Sequence, residues 1–480
     1  MKFLQSKAYI NGEWVTAKRN KTYAVVNPAN GRLISTVPDM DKADTAFAID
    51  AANEAFKNWR KTSANERSLL LKKWYHLLIE NKKYLAEILT SEQGKPFPEA
   101  IAEIKYGASY IEWFAEEARR IYGDIIPAAD SAKRIMVMKQ AVGVVALITP
   151  WNFPHAMIAR KIGAALAAGC TVVVKPAEAT PLSALAMVCL AEEAGFPKGV
   201  INVICSSNPS EIGEELCSNP IVRKISFTGS TPVGKILMEK CAGTVKRLSL
   251  ELGGNAPFIV FEDADIESAV KGLMQSKYRN AGQTCVCANR IFAHSSIHDQ
   301  FVELLTEATK KLKMGDGFDE DVNVGPLINQ KALLKVQGLV EDAISKGAIC
   351  HTGGTQGNLG LSFYEPTVLS NVNTAMKIHE EEIFSPIASV FKFESEEEAV
   401  RMANQTKHGL AAYFYGKDIN RIYRVMEDLE FGMVGINTGL LSSVTAPFGG
   451  IKESGFGREG SKYGIDEYLD IKYICIGEIK

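Results

Sequence analysis

Between residues 63 and 93 the apolar positions repeat at helical spacing, with Leu70, Trp74, Leu77, Leu78, Leu85 and Ile88 on one stripe. Ser63 followed by Glu66 has the form of a capping box, and Gly94 with Pro96 closes the segment, so the pattern predicts one long helix over 63–93. Downstream the period changes. VGVVALI (142–148), CTVVVK (170–175), VINVI (200–204) and KISFTG (224–229) are short runs rich in Val and Ile that predict buried strands. Helical stretches at roughly 155–168, 180–195, 209–218 and 231–241 lie between and after them. Such alternation predicts a parallel sheet covered on both faces, and sheets of this kind bind ligands beyond the carboxyl ends of their strands. The segments that follow the strands, TPWN (149–152), PAE (176–178), CSS (205–207) and GS (229–230), should therefore line one crevice. A second α/β unit runs from ELGGNAPFIVF (251–261) to about GMVGINTG (432–439), and the tail 465–480 predicts one more strand. The acidic run ESEEEA (394–399) reads as a solvated helix start.

A chain of 480 residues exceeds one hydrophobic core and implies two or three domains. The net charge of −2 offers no basic field to hold nucleic acid or an acidic membrane surface. The longest apolar runs fall far short of a membrane span, and MKFLQSKAYING at the N-terminus lacks the apolar core of a secretory signal. Nine scattered cysteines do not form a disulfide framework, and no CxxC pair or HExxH points to a metal. The expectation is a reducing, cytoplasmic setting and no metal.

Candidate chemistry concentrates in a few stretches. GSTPVGK (229–235) has the spacing of a phosphate-cradling loop, but Ile236 stands where a magnesium-binding Ser or Thr is needed. A glycine-rich turn approaching a dinucleotide fits better, and a plain tight turn fits as well. Lys175 and Glu178 of KPAE could grip ribose hydroxyls or form a surface ion pair. RNAGQTCVCANR (279–290) sets Cys285 and Cys287 among small polar residues. A thiol with a free pKa of about 8.5 needs activation. No histidine lies in a protease-like motif, which leaves a cysteine hydrolase as a distant alternative. A carboxylate, Glu251 in ELGGN, and an amide donor, Asn152 in WNFP, complete a coherent set with Cys285.

PWNFP (150–154), KPAE (175–178), FTGS (227–230), LELGG (250–254), GQTC (282–285), EEIFSP (381–386) and PFGG (447–450) together resemble the aldehyde dehydrogenase superfamily, and the likeness covers nearly the whole chain. GREGSKYGIDEYL (457–469) and the text around Cys285 are most similar to its succinate-semialdehyde dehydrogenases. The resemblance implies a Rossmann-like NAD-binding domain (1–122 and 141–250), an α/β catalytic domain (251–440) and a small β oligomerisation extension (123–140 and 460–480), assembled as a homodimer or homotetramer. It implies that Cys285 attacks an aldehyde, that Asn152 and the Cys285 N–H hold the oxyanion, and that Glu251 activates water for thioester hydrolysis. Lys175 and Glu178 would hold the adenine-side ribose, Ser230 the pyrophosphate and Glu382 the nicotinamide-side ribose, with Trp151, Phe384 and Gly229 along the cofactor path. NAD is the expected cofactor, with NADP as the alternative. From spacing alone Arg160 and Arg279 read as surface cations, but the resemblance implies that they, with Ser442, would bind the distal carboxylate of succinic semialdehyde, the alternative being another omega-carboxylated or a broader aliphatic aldehyde. A non-enzymatic relative would have lost the thiol or the acid, and both are present.

Two departures stand out. Ser385 replaces the usual glycine of EEIFGP, which questions the local turn, and CSS (205–207) replaces a glycine-bearing segment near the adenine. Cys287 has a plain reading, packing behind the nucleophile, and a sharper one, a resolving thiol. Relatives with such a redox switch at matching cysteines exist, as do unswitched ones with the same text. Residues at i and i+2 lie about 6–7 Å apart when extended, so a disulfide requires a bent loop.

Overall fold

The computed structural model describes residues 1–360 and 362–479. Five parallel strands form the centre of the first sheet, in the order Ile201–Val203, Thr171–Lys175, Val144–Ile148, Val222–Thr228, Arg247–Glu251. Val144–Ile148 comes first in the chain, and its successors lie to one side of it and then to the other. That reversal opens a crevice beyond its carboxyl end. Ala8–Ile10 and Glu13–Val15 extend one edge and Gly455–Phe456 the other, all antiparallel to their neighbours. The intervening helices are Ala156–Ala168, Pro181–Ala194, Pro209–Ser218 and Thr231–Ala242, close to the sequence expectation. The first two stop at Gly169 and Gly195, both left-handed, and the last three have proline in their first turn.

The predicted single helix over 63–93 is two helices, Ala64–Glu80 and Lys82–Gln93. The capping box is formed, with Glu66 N–H donating to Ser63 Oγ (3.2 Å) and Ser63 N–H to Glu66 Oε2 (2.9 Å). The break falls at Asn81, whose side-chain amide donates to Leu77 O (2.9 Å), a carbonyl that the helix ladder also uses. The run at 394–399 does start a helix, Glu396–Asn404, capped by Ser395.

A second sheet of seven strands is centred on Ile387–Phe393, Ala288–His294, Ala256–Val260 and Ala411–Tyr415, mutually parallel. The loop carrying Cys285 leads directly into Ala288–His294. A third sheet pairs the C-terminal strand Leu469–Ile476 with Arg134–Ala141, which pairs in turn with Asp124–Ile126. Ile125, Ile471 and Tyr473 on it are strongly exposed. Among the described residues no helix is long and apolar enough to cross a membrane.

The GSTPVGK segment is not a phosphate-wrapping loop. Its helix starts at Thr231, directly after Ser230, so Gly234 and Lys235 are already helical. A Cβ on Gly234 would meet the Leu252 side chain at 2.6 Å, and Lys235 is paired with Glu453 (2.7 Å).

Candidate active site

The chain reaches Cys285 through an unusual backbone. After the helix Ile266–Lys277, Asn280, Ala281 and Gly282 all have positive φ (51°, 54° and 74°). Asparagine tolerates this region and glycine favours it, but for alanine it costs about 1 kcal/mol or more. Gly282 is also required by space, because a Cβ there would lie 2.2 Å from Ser385 O. A turn follows, closed by Cys287 N–H donating to Thr284 O (3.1 Å). Cys285 is half-buried, and burial pushes its thiol up to about 12, with the positive charge of Arg160 opposing.

Asn152 approaches from the end of Val144–Ile148 and is 4% exposed. Its side-chain amide donates to Gln283 O (2.9 Å), which leaves its second N–H for another acceptor. Glu251 ends the strand Arg247–Glu251 and is also buried. Its carboxyl does not line the cavity containing Cys285 and stands against Gly449, where an added Cβ would meet Oε1 at 2.9 Å. Burial pushes Glu251 well above the usual carboxylate range, and the negative charge of Glu459 pushes the same way. Gly254 lets its own segment pass against the Cys285 loop, since a Cβ on it would lie 2.4 Å from Cys285 O.

One cavity holds Cys285 together with Arg160, Arg279 and Ser442, and its apolar walls include Phe153, Met157 and Phe448. The two arginines differ. Arg160 is 1% exposed, paired with Glu459 at 2.5 Å, and lies 4.2 Å from the Phe448 ring centroid. Arg279 is half-buried beside Phe153 and, unlike Arg160, pairs with no carboxylate among the described residues, while the Nε of each arginine lacks a hydrogen-bond partner there. Arg279 is thus the guanidinium available to an incoming anion. Glu459, which sequence reasoning missed, also pairs with Lys161, and these two cations hold its carboxyl below the ordinary range despite burial. The available signal was the ARK triplet, two adjacent cations on a helix that is otherwise apolar and must be buried.

Cys285 also borders the crevice at the sheet's reversal point, along with Trp151, Asn152, Gly229, Ser230, Glu382 and Phe384. Trp151 and Phe384 meet edge to face at 5.6 Å. Ser230 precedes the helix Thr231–Ala242 without capping it, so the first N–H groups of that helix are open to an anion. Glu382 Oε1 accepts from Gly254 N–H (3.0 Å), and burial pushes this carboxyl up to about 7. Lys335, also unforeseen, lines the same crevice. These features fit a dinucleotide with its pyrophosphate at Ser230. Lys175 and Glu178 are not among the crevice residues. Lys175 is buried and donates to Pro176 O (3.0 Å), while the Glu178 carboxylate, 51% exposed, lies 3.5 Å away.

The departures resolve in different ways. Positive φ falls on Phe384 (55°) and not on Ser385, so the turn does not demand glycine at 385. Ser206 and Ser207 are tied to the segment at 39–40, donating to Met40 O (2.7 Å) and Asp39 Oδ2 (2.8 Å). Cys287 is 2% exposed and directs its thiol toward the carbonyls of Lys277 and Ala288, 3.6 Å from each.

A doubly wound sheet with a crevice at its reversal point, joined to a second sheet that presents a thiol at the mouth of that crevice, has the form of a dinucleotide-dependent oxidoreductase. The chain belongs to the aldehyde dehydrogenase family, which it matches over residues 14–474, and is an NAD(P)-dependent aldehyde-oxidising enzyme. It is 54% identical over 473 residues to succinate-semialdehyde dehydrogenase [NADP(+)] of Escherichia coli, covering 98% of each chain. It is 56% identical over 474 residues to glutarate-semialdehyde dehydrogenase of Pseudomonas putida, again with 98% of each covered. The crystal structure of succinate-semialdehyde dehydrogenase from Burkholderia pseudomallei matches with a TM-score of 0.98 at 57% identity, over 99% of this chain and 98% of that one.

Proposed function

We propose that the protein oxidises succinic semialdehyde to succinate. The observation that carries this reading is the unpaired guanidinium of Arg279, with Ser442, in the cavity that contains Cys285. A planar fork of donors suits a carboxylate at the far end of a short aldehyde. The relatives named above act, by their names, on succinate and glutarate semialdehydes, both of which carry such a group.

The Cys285 thiolate adds to the aldehyde carbon, and the resulting oxyanion accepts from the free Asn152 amide N–H and from the Cys285 N–H. A nicotinamide dinucleotide in the crevice supplies the hydride acceptor. Loss of hydride from the thiohemiacetal leaves a thioester on Cys285. Glu251 takes a proton from water, the hydroxyl attacks the thioester carbon, and the acid product departs as the thiolate is restored. Glu251 is withdrawn against Gly449, so this step has its side chain rotate toward the thioester. Its pKa is raised by burial and by Glu459, so its basic form is reached only at higher pH than for an ordinary carboxylate, and hydrolysis quickens as pH rises. Residues 1–122 and 141–250 would hold the cofactor, 251–440 the nucleophile, and 123–140 with 460–480 would pair copies of the chain through Ile125, Ile471 and Tyr473.

Initial rates for succinic semialdehyde, glutaric semialdehyde and butanal, each with NAD and NADP, test this reading; butanal as the best substrate would reject it. For the cofactor, Glu178 is assigned to the adenine-side ribose. Repulsion of an added phosphate at about 4 Å is worth about 1 kcal/mol in water and about 4 kcal/mol at an effective dielectric of 20. The half-exposed Glu178 places this chain at the low end, a preference for NAD of roughly tenfold. Glu178→Ser should lower that preference, and an unchanged ratio would remove Glu178 from the explanation.

Cys287 is assigned a protective role, supported by the turn at Thr284–Cys287, which supplies the bend a disulfide needs. Peroxide converts the Cys285 thiolate to a sulfenic acid, and the Cys287 thiol, once it rotates away from the Lys277 and Ala288 carbonyls, attacks it and expels water to form a disulfide. Peroxide-inactivated enzyme should regain most of its activity with dithiothreitol, and Cys287→Ala, active beforehand, should not. Equal recovery of the two would leave Cys287 as packing.

A further inference from the structure

Three stretches far apart in the chain meet behind Cys285 in a fully buried polar network. Lys95 Nζ donates to Glu103 Oε2 (2.6 Å) and to the main-chain oxygen of Asn152 (2.8 Å), and it stands 3.9 Å from the Phe153 ring centroid. Asn280 Nδ2 donates to that same Asn152 oxygen (2.9 Å) and to Gln283 O (3.2 Å). Gln93 joins the two halves, accepting from Lys95 N–H (3.0 Å) and donating to Asn280 Oδ1 (2.9 Å). The second oxygen of Glu103 accepts from the N–H groups of His155 and Ala156 at 3.0 and 3.2 Å.

A buried ion pair is weak evidence for stability, since well-packed apolar residues often serve as well. Its position suggests another use. The Asn152 amide is aimed by its bond to Gln283 O, and that bond holds only while the Asn152 and Gln283 main chains keep their spacing. Asn280 spans that spacing from a left-handed conformation that local preference alone does not secure. Lys95 does not line the substrate cavity, so it does not meet the aldehyde.

We propose that Lys95, fixed by Glu103 and Gln93, is a positioning residue that sets the oxyanion-binding amide of Asn152 against the Cys285 loop. The proposal rests on the oxyanion role assigned to Asn152 above. Misplacement by about 1 Å costs roughly a hundredfold, comparable to losing an oxyanion donor outright. In the full-length enzyme, Lys95→Met should therefore lower kcat roughly tenfold to hundredfold while NAD affinity and aldehyde KM change little. The decisive readout is a double-mutant cycle. In an Asn152→Ala background, Lys95→Met should cost only on the order of twofold more, because both changes remove the same donor. Losses that multiply, or parent kinetics in Lys95→Met beside an impaired Asn152→Ala, would overturn this proposal alone. Parent activity in Asn152→Ala would overturn the oxyanion reading and this proposal with it. Should Lys95→Met not fold, Gln93→Leu, which keeps the ion pair and removes the link to Asn280, enters the same cycle with the same expected outcomes.

Discussion

The Cys285→Ala enzyme is expected to bind NAD(P) like the parent and to reduce none of it when given aldehyde. Removing the nucleophile of a covalent mechanism costs on the order of a millionfold in kcat. No substitute thiol is at hand, because Cys287 faces the Lys277 and Ala288 carbonyls and lines neither cavity. The fold should survive, since Cys285 is only half-buried and alanine is smaller. The groups proposed above to hold the cofactor, the Ser230 helix terminus and Glu382, are left in place by the substitution. Aldehyde-dependent absorbance of reduced cofactor, with titration of NAD(P) into the variant, separates loss of chemistry from loss of binding. Appreciable turnover in Cys285→Ala would sink the mechanism.

Arg279→Ala should lose roughly ten- to hundredfold in kcat/KM on succinic semialdehyde and far less on butanal. A charged hydrogen-bonded contact is worth about 1.5–3 kcal/mol, and only the first substrate carries the matching carboxylate. Arg279 is the informative position of the two arginines. Removing Arg160 would take one of the two cations from the buried Glu459 carboxylate, leaving Lys161, and so confuse recognition with folding. Arg279 has no such obligation, since it pairs with no carboxylate among the described residues. Equal losses on both aldehydes would count against carboxylate recognition.

The strand and helix alternation from 142 to 242 was legible because each element depends on nearby residues: Val and Ile runs, prolines in first turns, Gly169 and Gly195 at helix ends. The short motifs around Asn152, Glu251 and Cys285 were legible for the same reason, each being a local backbone geometry with one chemical group. Their convergence was not. The cavity uniting Arg160, Arg279, Ser442 and Cys285 draws on four separate segments, and only folding decides that they share a wall. The helix break at Asn81 escaped the pattern because a stripe of apolar residues runs through it unchanged.

What the sequence by itself determined is the sheet architecture and the candidate reacting groups, both written in local periodicity and in residues that few other structures require. The tertiary structure alone decided the electrostatic state of those groups. Arg160 is paired with Glu459 near the other end of the chain, Glu251 is held above the usual carboxylate range by burial and by Glu459, and Lys95 reaches Asn152 across the domain. Charge compensation acts through space over a few ångströms in a low-dielectric interior, and chain spacing carries no record of which distant charge will be there.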